Sequence, residues 1–292
     1  MSKKMMKRIV CNAVATLSAA ACLGMATACE TAHPEVEMII TFQGETYELE
    51  YELYRKVAPS TVNHFLWLAK NGYYDGLCVH DYDSTAKRMY TGAYSYDANE
   101  ETGLKYKSYY EVVKGYENFP KSVWKDEATT DYLYTVYGEF EENGFVVENG
   151  AKKQSYGSLT MYYTEKNTTA KAYAPYLNEE KEGEVATRLY KNNCATSQFF
   201  ISFSQTESSS TKYCTFATLT EESVEELQSL EKAIADYIAK ESGDDASAST
   251  FVSKQKLTVD TDDAFVGDSG KIVNYNVPNE PIVITSVKVN KH

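Results

Sequence analysis

Two stretches of strict alternation face each other across a short turn. Met38, Ile40 and Phe42 share one side of the first, and Tyr47, Leu49, Tyr51 and Leu53 share one side of the second, with Gln43-Gly44-Glu45 between them. A strand sends successive side chains to opposite faces, so this spacing predicts a β-hairpin with one buried face. Ala58-Pro59-Ser60-Thr61 follows, and Pro59 suits a first helical turn, where its missing N–H costs nothing. Val62, Phe65, Leu66 and Ala69 then recur at helical spacing, and Gly72 can cap the end. Further along, Tyr73–His80, Phe145–Val147, Ser158–Tyr163, Gln198–Phe203, Tyr213–Leu219 and Ile282–Val289 read as short strands. Thr220 reads as the cap of a second helix, with Glu221 and Glu222 favourable to its dipole and Val224, Leu227, Leu230, Ile234 and Ile238 as its apolar stripe. The Tyr-rich polar stretch Asp97–Asn149, the stretch Glu165–Asn193 and the Gly/Ser/Asp-rich Ser242–Thr250 read as surface excursions and loops. Many short strands with two helices predict a β-barrel or sandwich with helical covers.

The N-terminus reads as an address. Met1–Arg8 is basic, Ile9–Ala28 is apolar and uncharged, and Glu30 and Glu35 follow at once, which is the layout of a secretory signal. The apolar stretch ends in Ala26-Thr27-Ala28-Cys29, which resembles the lipobox of bacterial lipoproteins, where the cysteine becomes the lipid-bearing N-terminus. Ala19-Ala20-Ala21-Cys22 is a weaker competitor, because less apolar chain precedes it. Lipidation at Cys29 implies an extracytoplasmic protein anchored to a bacterial cell membrane. Cleavage after Ala28 with secretion, or an uncleaved anchor helix, is the alternative. The expected division is residues 1–28 as signal peptide, 29–37 as tether and 38–290 as the domain.

Charge narrows the partners. The formal net charge is −13, and without the four cations of the leader 25 Lys+Arg face 42 Asp+Glu, or −17. So acidic a body argues against a nucleic-acid partner. The four histidines (His33, His64, His80, His292) show no paired ligand spacing, so no metal site is expected. Beyond the leader, Cys78, Cys194 and Cys214 are odd in number, which favours buried thiols over a disulfide framework.

Several segments, in order, resemble the cyclophilins. Leu53–Gly76 is similar to that family's opening strand, first helix and turn, and Val79-His80 to its phenylalanine-histidine pair. Tyr137-Gly138-Glu139-Phe140 with Asn143-Gly144 resembles a segment of bacterial members, and Gly157-Ser158-Leu159-Thr160-Met161 the glycine-to-methionine strand. Ser197-Gln198-Phe199-Phe200-Ile201 is the most specific match; Phe216 and Pro281-Ile282-Val283-Ile284 resemble later strands. The resemblance spans about Met38 to Val289, with insertions near 97–133, 165–193 and 240–277. It implies a mainly β fold: an eight-stranded antiparallel barrel capped by two helices, with large loop insertions. The implied activity is cis/trans isomerisation of X–Pro bonds, which needs no cofactor.

That resemblance also implies a site. Gln198 would support the peptide backbone and Phe200 would floor the proline pocket. Met89, Met161, Tyr162, Tyr163, Thr164 and Tyr213 would line the peptide groove. The family arginine, which donates to the prolyl nitrogen, is matched by Asp81, and a carboxylate offers no such donor. Arg88 falls where the family has a pocket phenylalanine; it is either a substitute guanidinium or a solvated surface cation. Thr91 replaces a binding glutamine. Three functions follow. The first is an exported peptidyl-prolyl isomerase with weakened catalysis that acts on proline-containing peptides or unfolded exported proteins. The second is a peptide-binding module or chaperone on the same barrel. The third is a solute-binding lipoprotein of unrelated fold.

Overall fold

The computed structural model describes residues 31–113, 115–116, 125–126, 136–141, 151–162, 172–177, 185–190, 194–242, 251–260 and 269–292. The leader, Cys29 and the expected strand Phe145–Val147 lie outside them. The opening hairpin forms as the alternation requires. Strand β1 (Glu35–Phe42) pairs with β2 (Glu45–Leu53) across the two-residue turn Gln43-Gly44, and the predicted apolar set is buried.

Helix α1 (Pro59–Lys70) has Pro59 in its first turn, and Ala58 gives it no side-chain cap. The cap comes from far away. The buried Glu139 carboxylate accepts the Ser60 N–H at 2.9 Å and the Thr61 N–H at 2.8 Å, two donors a helix leaves unpaired at its start. At the other end the Gly72 N–H reaches the Ala69 carbonyl and the Tyr73 N–H reaches that of Leu68, both at 3.0 Å, which is the Schellman pattern.

The remaining elements are β3 (Leu77–Cys78), β4 (Asp81–Asp83), β5 (Arg88–Thr91), β6 (Tyr94–Tyr96), β7 (Leu104–Tyr106), the short helix α2 (Tyr109–Val113), β8 (Lys125–Asp126), β9 (Val136–Tyr137), β10 (Leu159–Met161), β11 (Ala172–Leu177), β12 (Val185–Tyr190), β13 (Cys194–Ala195), β14 (Phe199–Ser202), β15 (Thr215–Leu219), α3 (Val224–Ser242), β16 (Val252–Asp260), β17 (Ser269–Pro278) and β18 (Ile282–Lys291). The main sheet is antiparallel in the order β4-β5-β14-β10-β15-β2-β1-β18-β3, with β6 and β7 added beyond β3. The two ends of that order, β4 and β3, are one bent stretch of chain. Its Val79 N–H donates to Ile282 at 2.9 Å on one edge, and its His80 N–H donates to Tyr90 at 3.0 Å on the other. The sheet therefore curls into the eight-stranded barrel expected, with Leu77–Asp83 closing it.

Helix α1 packs against β18 and α3 against β2, so the two long helices cover the barrel. Leu227, Leu230 and Ile234 of the predicted stripe are buried. Thr220 makes no side-chain cap; a 3-10 turn at Glu221–Ser223 precedes α3 instead. Cys78 and Cys214 are buried thiols.

Two insertions hold more order than their composition predicts. Within 97–133, α2 docks Tyr109 on α1, its hydroxyl 3.1 Å from His64 Nε2. Strands β11 and β12 pair within 165–193, and β11 also pairs with β8, so these two insertions share a sheet. The third, 240–277, continues α3 and then forms the long hairpin β16–β17. Its base is anchored by Phe251, ringed by Phe42, Tyr82 and Tyr237. β17 lies along β4 and brings Tyr275 against His80 and Tyr94, 5.1 and 6.0 Å between ring centroids.

Candidate active site

The outer face of β5, β14 and β10 carries a cluster of aromatic rings where the resemblance expects the peptide groove. On β5, Met89 and Thr91 are buried and Arg88 and Tyr90 are half-buried, as a strand's alternation demands. Opposite residues of paired strands share a face, so Tyr90, Phe200 and Thr160 lie side by side. Phe200 is 0% exposed yet lies outside the barrel core formed by Phe199, Ile201 and Leu159. Its cover is local: the Tyr90 ring at 5.2 Å, the Tyr213 ring at 5.7 Å and the Arg88 guanidinium at 4.5 Å. Tyr162 meets Tyr90 edge-on at 5.6 Å.

Arg88 is half-buried and packed among these rings. Its guanidinium also lies 5.2 Å from the Tyr213 ring, and it donates to the Tyr90 hydroxyl at 3.3 Å and to Gln154 Oε1 at 3.0 Å. Stacking on ring faces in a half-dry setting favours a cation. Among the described residues no carboxylate lies within ion-pair distance of it. Burial raises the Tyr90 pKa, and the charge of Arg88 works against that rise.

The expected residues divide. Phe200, Arg88, Tyr162 and Tyr213 come together in the groove. Met89 and Met161 do not: both face the barrel interior, 1% and 0% exposed, because each alternates with a groove-facing neighbour. Thr91 also points inward, its hydroxyl donating to the Cys78 carbonyl at 2.9 Å. Tyr163 and Thr164 lie outside the described residues. Gln198 stands two residues before Phe200, and its carbonyl accepts the Tyr162 N–H at 3.0 Å. His80 is buried between Tyr94 and Tyr275, and burial lowers its pKa to about 3, so it stands neutral. Tyr90 and Gln154 were not among the expected site residues. Period two from Arg88 points to Tyr90; nothing in the sequence around Gln154 marks it.

Asp81 is tied to the β16–β17 hairpin. One carboxylate oxygen accepts the Asn276 backbone N–H of β17 at 2.8 Å. Burial raises its pKa and nearby Asp83 adds to the rise, while the bonds from Asn276 oppose it.

An eight-stranded antiparallel barrel under two helices, with an aromatic cluster around Phe200 on its outer wall, is a cyclophilin-like barrel. The family described as Cyclophilin type peptidyl-prolyl cis-trans isomerase/CLD matches residues 38–250, and the chain belongs to that family. Similar solved structures include a cyclophilin type peptidyl-prolyl cis-trans isomerase of Cryptosporidium parvum, 16% identical with a TM-score of 0.42, covering 89% of this chain and 99% of that one. A second structure of that enzyme, in the presence of the dipeptide Ala-Pro, is also 16% identical with a TM-score of 0.42, covering 88% and 99%. No curated protein matches.

Proposed function

We propose that the chain is an exported peptidyl-prolyl cis-trans isomerase of reduced rate, acting on proline-containing segments of unfolded exported proteins and tethered to a bacterial membrane by lipid on Cys29. The tether and the export rest on the basic, apolar and Ala26–Cys29 layout of the leader. Isomerisation needs no bond cleavage; it needs a seat for the proline ring and a donor to the amide nitrogen once twisting removes its resonance. The barrier is about 18–20 kcal/mol. One well-placed donor is worth on the order of 2.7–4 kcal/mol, so a displaced one leaves a slower enzyme.

The observation that carries this reading is the Arg88 guanidinium held over Phe200 with three of its five N–H groups uncommitted among the described residues. It supplies at the groove floor the donor that Asp81 cannot. The test is cis/trans exchange of an Ala-Pro peptide followed by NMR, with the chain from Glu30 onward at catalytic concentration. Faster exchange that falls at least tenfold in Arg88→Ala supports the reading. Peptide shifts on titration without faster exchange would favour a binding module.

A further inference from the structure

Gln154 lies ahead of β10, on none of the strands that carry the groove. Two backbone bonds fix it: its N–H donates to the Ser208 carbonyl and its carbonyl accepts the Ser208 N–H, both at 2.9 Å. Its residue is 4% exposed. Oε1 of its amide accepts from Arg88, and Nε2 of the same amide is buried without a partner among the described residues. A buried donor left unpaired is costly, and an apolar side chain of similar size would avoid that cost. The bond to Arg88 is what a glutamine gives here and a leucine cannot.

The guanidinium so held is one of three groups that cover Phe200, beside the Tyr90 and Tyr213 rings. A prolyl ring stacking on Phe200 needs that same space. We infer that Gln154 is a positioning residue: it fixes Arg88 on the seat a prolyl ring would take, and so sets what a peptide must displace to bind. The inference rests on reading the groove as the proline site. As the ring enters, the guanidinium leaves Gln154 for the groove rim. There its N–H groups can reach the prolyl nitrogen, and the same residue that guards the seat becomes the donor.

Two measurements on the chain from Glu30 onward test this. The first uses no peptide. The Arg88 Nε–Hε NMR resonance, shielded by the Phe200 ring, should return toward the position of a free arginine in Gln154→Leu. The second is the dissociation constant of an Ala-Pro peptide. Gln154→Leu should tighten binding roughly ten- to a hundredfold, the worth of one hydrogen bond to a charged group, and Gln154→Glu should weaken it by a similar factor. A purely structural residue would shift both variants in the same direction. If Gln154→Leu does not fold, Arg88→Ala replaces it, since an emptied seat must also bind more tightly. An unmoved Arg88 resonance, or affinity changes of one sign, overturns the inference. If the resonance moves but neither the parent chain nor the variant binds the peptide, the hold on Arg88 stands and the isomerase reading falls.

Discussion

Replacing Asp81 with arginine is the obvious way to rebuild the family's catalytic donor, and it is expected to fail. The Asp81 carboxylate accepts the Asn276 N–H of β17, and β17 lies along β4. An arginine accepts nothing. Asp81→Arg therefore strips the Asn276 N–H of its partner and puts a guanidinium against the strand that carries Tyr275. Losing a hydrogen bond to a charged group costs about 1.5–3 kcal/mol, and partial exposure brings this toward the low end, about 2 kcal/mol. At about 2–4 °C per kcal/mol for a domain of this size, the unfolding midpoint should drop by about 4–8 °C. The assay is thermal unfolding by circular dichroism beside Ala-Pro exchange by NMR. Asp81→Asn keeps an acceptor and should lose less than about 1 kcal/mol. An Asp81→Arg variant with an unchanged midpoint and faster exchange would refute the reasoning, because the carboxylate would then hold nothing and the space beside β4 would be open.

Three further outcomes are expected. Burial holds His64 down to about 4 and His80 to about 3, against 6.5 for a free histidine. Their contribution to stability is whole above about pH 6.5 and is lost as pH falls toward those values, because the unfolded chain takes up protons the folded one refuses. His80→Phe keeps a ring between Tyr94 and Tyr275, so its midpoint should fall less steeply below pH 6.5 than that of the parent chain; equal slopes would contradict the burial of His80. Glu139→Ala leaves the Ser60 and Thr61 N–H groups uncapped and should cost about 1–3 kcal/mol in chemical denaturation, with Glu139→Gln recovering much of it. Gly92→Ala should destabilise by about 3 kcal/mol or more, again by denaturation, since Gly92 has φ of +100° and a Cβ there would sit 2.4 Å from the Ser197 carbonyl oxygen.

The barrel was legible because its strands alternate cleanly and its helices carry stripes. Met38 through Leu53 and Val62 through Ala69 each commit to one period, and burial followed it. The hairpin β16–β17 is masked in the sequence although Val273, Tyr275 and Val277 alternate, since the polar Ser242–Thr250 ahead of it carries a loop composition. Met89 and Met161 were misplaced by matching residue types without following strand parity, which sends them inward. Gln154 was out of reach for a different reason. Its part depends on Arg88 and Ser208, 66 and 54 residues away in sequence, and a local pattern holds no trace of such a meeting.

β18 joins β1 on one side and β3 on the other, and the Thr41–Thr285 side-chain bond spans 244 residues of sequence. Until β18 arrives, both of those neighbours present bare backbone edges, and β1 offers them with a full apolar face. Closing so long a loop is slow, because its entropy must be lost before the contacts that repay it form. Folding of this barrel is thus a late, all-at-once event. Its half-made forms are open to strand addition by other chains until β18 is in place.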